Sequence, residues 1–143
     1  MIDRGTGMKS LLVVMLSVIL TAVACGDPVP PVAPTPVSPT IAEPFTGTLT
    51  AYGSNVHPFT VNEVGGVVVI ISSVEPSAAV GVGIGTPSVT TGTCTVLSTL
   101  TVVAGPGAQL SGTATVAGSF CVQVYDVGNI VESVAYTITV IHS

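Results

Sequence analysis

Three cysteines, Cys25, Cys94 and Cys121, hold most of the reactive chemistry this chain can offer. Cys25 stands where an apolar run (residues 11–24, LLVVMLSVILTAVA) ends in small residues and a proline-rich stretch begins. A charged residue (Lys9), an apolar stretch and a small-residue junction together make an export signal. A thiol at the cut is then a site for lipid attachment, giving a mature chain tethered to a membrane. Setting Cys25 aside leaves Cys94 and Cys121 as a pair, in a compartment where a disulfide persists. Such a bridge would stabilise the fold by about 3–4 kcal/mol through lost unfolded-chain entropy. The alternative is two buried free thiols.

The other candidate residues are few. His57 precedes Pro58 and His142 is the penultimate residue, and both are expected to be solvated loop residues. No nucleophile-elbow motif accompanies the serines. Two distant histidines and a bonded cysteine pair have no zinc-ligand spacing. The carboxylates are scattered rather than paired for acid–base work. No catalytic residue is assigned, and the chain is expected not to be an enzyme. Asp126, Asn129 and Glu132 fall within one turn and could offer oxygen ligands to calcium. The competing account is that Asp126 and Asn129 make turn hydrogen bonds while Glu132 is solvated. No other cofactor is expected.

Charge narrows the partners. The only basic side chains besides histidine are Arg4 and Lys9, and both precede Cys25. A mature chain beginning at Cys25 has no lysine or arginine to neutralise phosphates, which excludes nucleic acid and disfavours nucleotide sites. Membrane contact would come through the N-terminal lipid. An envelope protein or a polysaccharide remains as a ligand for the neutral, hydroxyl-rich surface.

The elements that must position these residues follow from composition. The signal's run of 14 residues, interrupted by Ser17 and Thr21, is shorter than the about 20 apolar residues needed to span a bilayer, so a cleaved signal is expected. Met8-Lys9 is its natural opening. The stretch TAVAC at 21–25 resembles the lipobox of bacterial lipoproteins, with Ala22 where Leu or Val is commoner. That resemblance implies a lipoprotein signal over 1–24, acylation at Cys25 and a place in the cell envelope, facing the periplasm or the cell surface. Residues 25–44 then read as a proline-rich linker, since seven of the eighteen residues 27–44 are Pro. Such a segment extends as polyproline II and lifts a domain off the membrane.

Residues 45–143 form one domain. Val, Thr, Ile and Ser alternate at period two between Gly, Pro, Asn and Asp breaks, and no stretch holds helical spacing over three turns. Strands are predicted near 45–52, 56–62, 66–73, 78–85, 94–103, 109–115, 118–126 and 134–141. Eight short strands point to an all-β antiparallel sandwich of jelly-roll type. The run GVVVII (66–71) reads as buried on both faces. The strand AAVGVGIG places Val80, Val82 and Ile84 opposite Gly81, Gly83 and Gly85, leaving room for a backbone or a ligand to approach. The last two strands are expected to pair as a hairpin through DVGNIVES. With no lysine available, Pro58, Pro76, Pro87 and Pro106 are expected to guard the sheet edges.

The segment 117–140, AGSFCVQVYDVGNIVESVAYTITV, resembles the closing strands of the bacterial pre-peptidase C-terminal domain family. Gly118, Phe120, Val122 and Val124 match the first half of that pattern, and Tyr136, Thr137, Ile138 and Val140 the second. The resemblance implies a jelly-roll sandwich in an extracytoplasmic setting. The acidic segment common in that family's middle strands is replaced here by AAVGVGIG, so calcium or matrix binding is not carried to named residues. No catalytic domain is read ahead of the sandwich. The functional expectation is a non-catalytic, membrane-anchored module that binds a protein or polymer. The alternative is a structural or assembly element pairing through an exposed edge strand, such as GVVVII were it not central.

Overall fold

The computed structural model describes residues 39–143. The signal, Cys25 and most of the linker lie outside the described residues. The described chain folds as eight strands: β1 (Ile41–Leu49), β2 (Ser54–Val61), β3 (Gly65–Glu75), β4 (Val80–Pro87), β5 (Cys94–Ala104), β6 (Gln109–Ala114), β7 (Gly118–Tyr125) and β8 (Val134–His142). Every expected strand is present. β-Branched residues at alternate positions suit a pleated, half-buried surface, and glycines, prolines and polar residues interrupt them.

Two four-stranded antiparallel sheets result, ordered β1-β8-β3-β6 and β2-β7-β4-β5. This is the jelly-roll order, in which sequence neighbours alternate between sheets except β4 and β5, which pair as a hairpin in one sheet. The inward faces meet in one core: Val67, Val69 and Ile71 from β3, Val82 from β4, Val122 from β7 and Ile138 from β8 are all buried. Each such side chain gains about 1.5–3 kcal/mol from leaving water, before the entropy of ordering it is subtracted.

Three expectations change. The sandwich starts at Ile41 rather than 45, so β1 takes in four residues read as linker. Pro44 fits because β1 is an edge strand, where a missing N–H breaks no ladder on the solvent side. β7 and β8 do not form a hairpin: β7 pairs with β2 and β4, β8 with β1 and β3. Residues 126–133 cross from one sheet to the other. β3 is internal, between β8 and β6, so GVVVII offers no edge. It is fully buried on one face only, since Val68 and Ile70 on the outer face are half-buried.

Candidate functional site

Cys94 opens β5, Cys121 lies on β7, and β4 runs between them. The two are disulfide-bonded, with Cα atoms 5.9 Å apart across a sequence separation of 27. Gly85, paired with Cys121, lets the bridge form. A Cβ at Gly85 would stand 2.6 Å from the Thr95 carbonyl carbon and 2.8 Å from Val96 Cα. The start of β5 therefore lies directly on the outer side of β4, which only a residue without a side chain permits. The rest of the glycine face is filled too: the Tyr125 ring covers Gly81, and Val96 covers Gly83. The backbone that approaches these glycines is the chain's own.

Both histidines sit on strands, and neither is the solvated loop residue expected. On β2, Asn55, His57, Phe59 and Val61 alternate inward. His57 stacks on Phe45 of β1 at 5.0 Å between ring centroids, and its Nε2 is joined to Tyr136 Oη by a 2.7 Å hydrogen bond. The Tyr136 ring lies across Gly47, its partner on β1, where a Cβ would come within 2.5 Å of Oη. Burial holds His57 below the usual histidine range and pushes the Tyr136 phenol up. A nucleophilic phenolate needs the opposite shift, so the pair serves as a polar rivet between the sheets. Asn55 Nδ2 adds a second tie by donating to the Thr48 carbonyl at 2.9 Å.

His142 continues the inward series Val134, Tyr136, Ile138, Val140, and only 1% of it is exposed. Its Nε2–H donates to Glu43 Oε1 at 2.8 Å, and its ring lies 5.4 Å from that of Phe59. The same period-two count that placed Tyr136 and Val140 inward would have placed both histidines.

Asp126 organises the loop between β7 and β8. Its Oδ1 accepts from the backbone N–H groups of Gly128, Asn129 and Ile130 at 2.8, 3.1 and 3.2 Å. Its Oδ2 accepts from Tyr52 N–H at 2.8 Å, while Asp126 N–H donates to the Gly53 carbonyl. These bonds, that from Tyr52 first, hold its carboxyl below the usual carboxylate range. Both oxygens are thus committed to the turn, Asn129 contributes its N–H, and Glu132 is exposed. Among the described residues no three His, Cys, Asp or Glu side chains gather as a metal site.

The opposite side of the sandwich, formed by β5 and β6, carries no charged side chain and holds an apolar cleft. Between Gly83 and Gly85 the β4–β5 register shifts, and residues 97–100 of β5 leave the ladder. Leu100 packs toward Gly112 of β6. A cleft of about 40 Å³ opens there, lined by Val67, Ile84, Leu97, Leu100, Ala114 and Phe120 among others. Leu97 is 51% exposed and Val103 55%.

The architecture and its bridge define a disulfide-stapled jelly-roll sandwich. No family model matches the chain, and no curated protein sequence does. Among solved structures, PliG of Aeromonas hydrophila, a periplasmic inhibitor of g-type lysozyme, is similar at 16% identity and a TM-score of 0.49. The match covers 69% of this chain and 83% of that one. A chain from Bacillus endospore appendages, described as a family of disulfide-linked pili, is similar at 14% identity and a TM-score of 0.37. That match covers 73% and 88%. Neither likeness bears on what this chain binds.

Proposed function

We propose that this chain is an exported lipoprotein, acylated at Cys25, whose non-catalytic sandwich binds a protein through its β4–β7 side. The observation that carries the binding surface is a stretch of fifty residues, 76–125, without one Asp, Glu, Lys, Arg or His. That stretch supplies β5, an edge strand, and most of the apolar cleft beside it. An uncharged surface with an apolar cleft and the exposed Leu97 and Val103 suits contact with another protein. The signal-like segment and Cys25 support the anchor, and a disulfide suits an oxidising compartment. Both histidines are committed to other residues of the fold, which supports a role without catalysis.

Cells expressing the full chain and fed labelled palmitate test the anchor. The wild type should carry label in the membrane fraction, and Cys25→Ser should be unlabelled. An unlabelled wild type would end the anchoring reading. For the surface, Leu97→Lys should release whatever the wild type retains on native gels of detergent-solubilised membranes. An unchanged migration would remove the β5 side as the binding face.

A further inference from the structure

We infer that the outer face of β1, β8 and β3 holds a binding groove for a neutral polysaccharide. This goes beyond the protein contact proposed above and lies away from β5. On β3, Val67, Val69 and Ile71 turn inward at period two, and the next inward residue is Val74. The extra residue is a bulge between Ile71 and Ser73, and it reverses the alternation. Unbroken alternation would aim Ser73 and Glu75 into the core, whereas the bulge turns both outward. There they complete two rungs across three strands, Thr46–Thr137–Ser73 and Thr48–Ala135–Glu75. These six residues line an open cavity of about 360 Å³.

The chemistry of the groove selects the occupant. Thr46, Thr48, Ser73 and Thr137 bring hydroxyls and Glu75 a carboxylate, and none of these side chains has a hydrogen-bond partner among the described residues. Elsewhere on the same face Ser72 and Thr139 satisfy each other at 3.1 Å. Neighbouring strands set the hydroxyls of a rung about 4.8 Å apart, and alternate residues of one strand about 6.6 Å apart. Such a lattice suits a ligand that donates and accepts at many points, as the hydroxyls of a sugar chain do. The Glu75 carboxylate accepts from sugar hydroxyls and repels an anionic chain, with no lysine or arginine in the described domain to offset it. Protein contacts centre on aromatic, arginine or long apolar anchors. Here the Tyr136 ring turns away into the core, which leaves the Ala135 methyl as the apolar floor.

Affinity electrophoresis of detergent lysates from cells expressing the full chain tests this. Native gels cast with hydroxyethyl cellulose, galactomannan or laminarin supply neutral chains, and alginate supplies an anionic one. The wild type should be retarded by at least one neutral polymer and run unshifted through alginate. Thr46→Val/Thr137→Val exchanges two hydroxyls for methyls of similar shape and should lose the retardation. Thr60→Val, exposed on the outer face of the other sheet, should keep it. Non-reducing gel mobility checks that each variant has formed its disulfide. No retardation by any neutral polymer, or retardation that survives the double variant, overturns the groove. A shift in alginate as large as in the neutral gels overturns the neutral ligand. Leu97→Lys should leave the retardation intact, so failure of the β5 side as a protein contact is read separately from failure of the groove. Retardation lost in Leu97→Lys would overturn the placement of the site on this face.

Discussion

Gly85 lies beneath the backbone of Thr95: the β carbon it lacks would come within 2.6 Å of the Thr95 carbonyl carbon. The obstacle is main chain, and Cys94 next to it is bonded to Cys121, so neither side can yield cheaply. Gly85→Ala should therefore destabilise the fold by about 1–3 kcal/mol, as overpacking does. Gly66 on β3 is the control, because a Cβ there meets nothing within 4 Å. Gly66→Ala should be neutral or stabilise by up to about 1 kcal/mol. Urea denaturation of the two variants checks the contrast, and equal effects would refute the packing account.

The Cys94–Cys121 bridge closes a loop with a sequence separation of 27. Loop-closure entropy for that length gives about 3.5 kcal/mol. Calorimetry with and without reductant should show a melting temperature lowered on reduction. Cys94→Ala/Cys121→Ala should match the reduced wild type, and a bridge-free protein as stable as the oxidised one would contradict this.

Asp126 is held below its ordinary value of 3.8 by the backbone bond from Tyr52 and by those from its own loop. A carboxyl lowered in the folded state adds stability above the unfolded value and loses it as pH falls through the folded one. The melting temperature should thus drop as pH descends below about 3.8. Asp126→Asn should flatten that part of the curve. An identical acid limb in wild type and variant would show that the loop does not depend on the charge.

His57 is depressed below its ordinary 6.5 by burial, so the folded state prefers the neutral imidazole. As pH falls through 6.5 the unfolded chain takes up the proton first, and stability declines until the folded value is passed. His57→Gln should remove that portion of the decline between pH 7 and 5. Tyr136→Phe deletes the 2.7 Å partner and should cost about 1 kcal/mol. Chemical denaturation across this pH range reads both effects.

Local pattern and residue counts determined much of this protein. Period-two alternation located all eight strands and the inward faces of β7 and β8, because a strand's side-chain period is a property of its own backbone. An odd cysteine count with one thiol at a signal junction singled out Cys94 and Cys121. Extending the same alternation two positions would have turned His142 inward beside Val140, and would have set His57 beside Phe59.

What the tertiary structure alone decided is non-local. An apolar strand face is satisfied equally by a hairpin neighbour or by the facing sheet, so nothing in DVGNIVES states that β7 and β8 part into different sheets. Pro44 looked like linker until β1 proved to be an edge, where a missing N–H is tolerated. The glycines of β4 left open what would cover them, and pairing with β5 and β7 brought in Val96, Thr95 and Tyr125. Which strands lie at the edges is likewise set by sheet order, and sheet order depends on which distant segments meet in the folded chain.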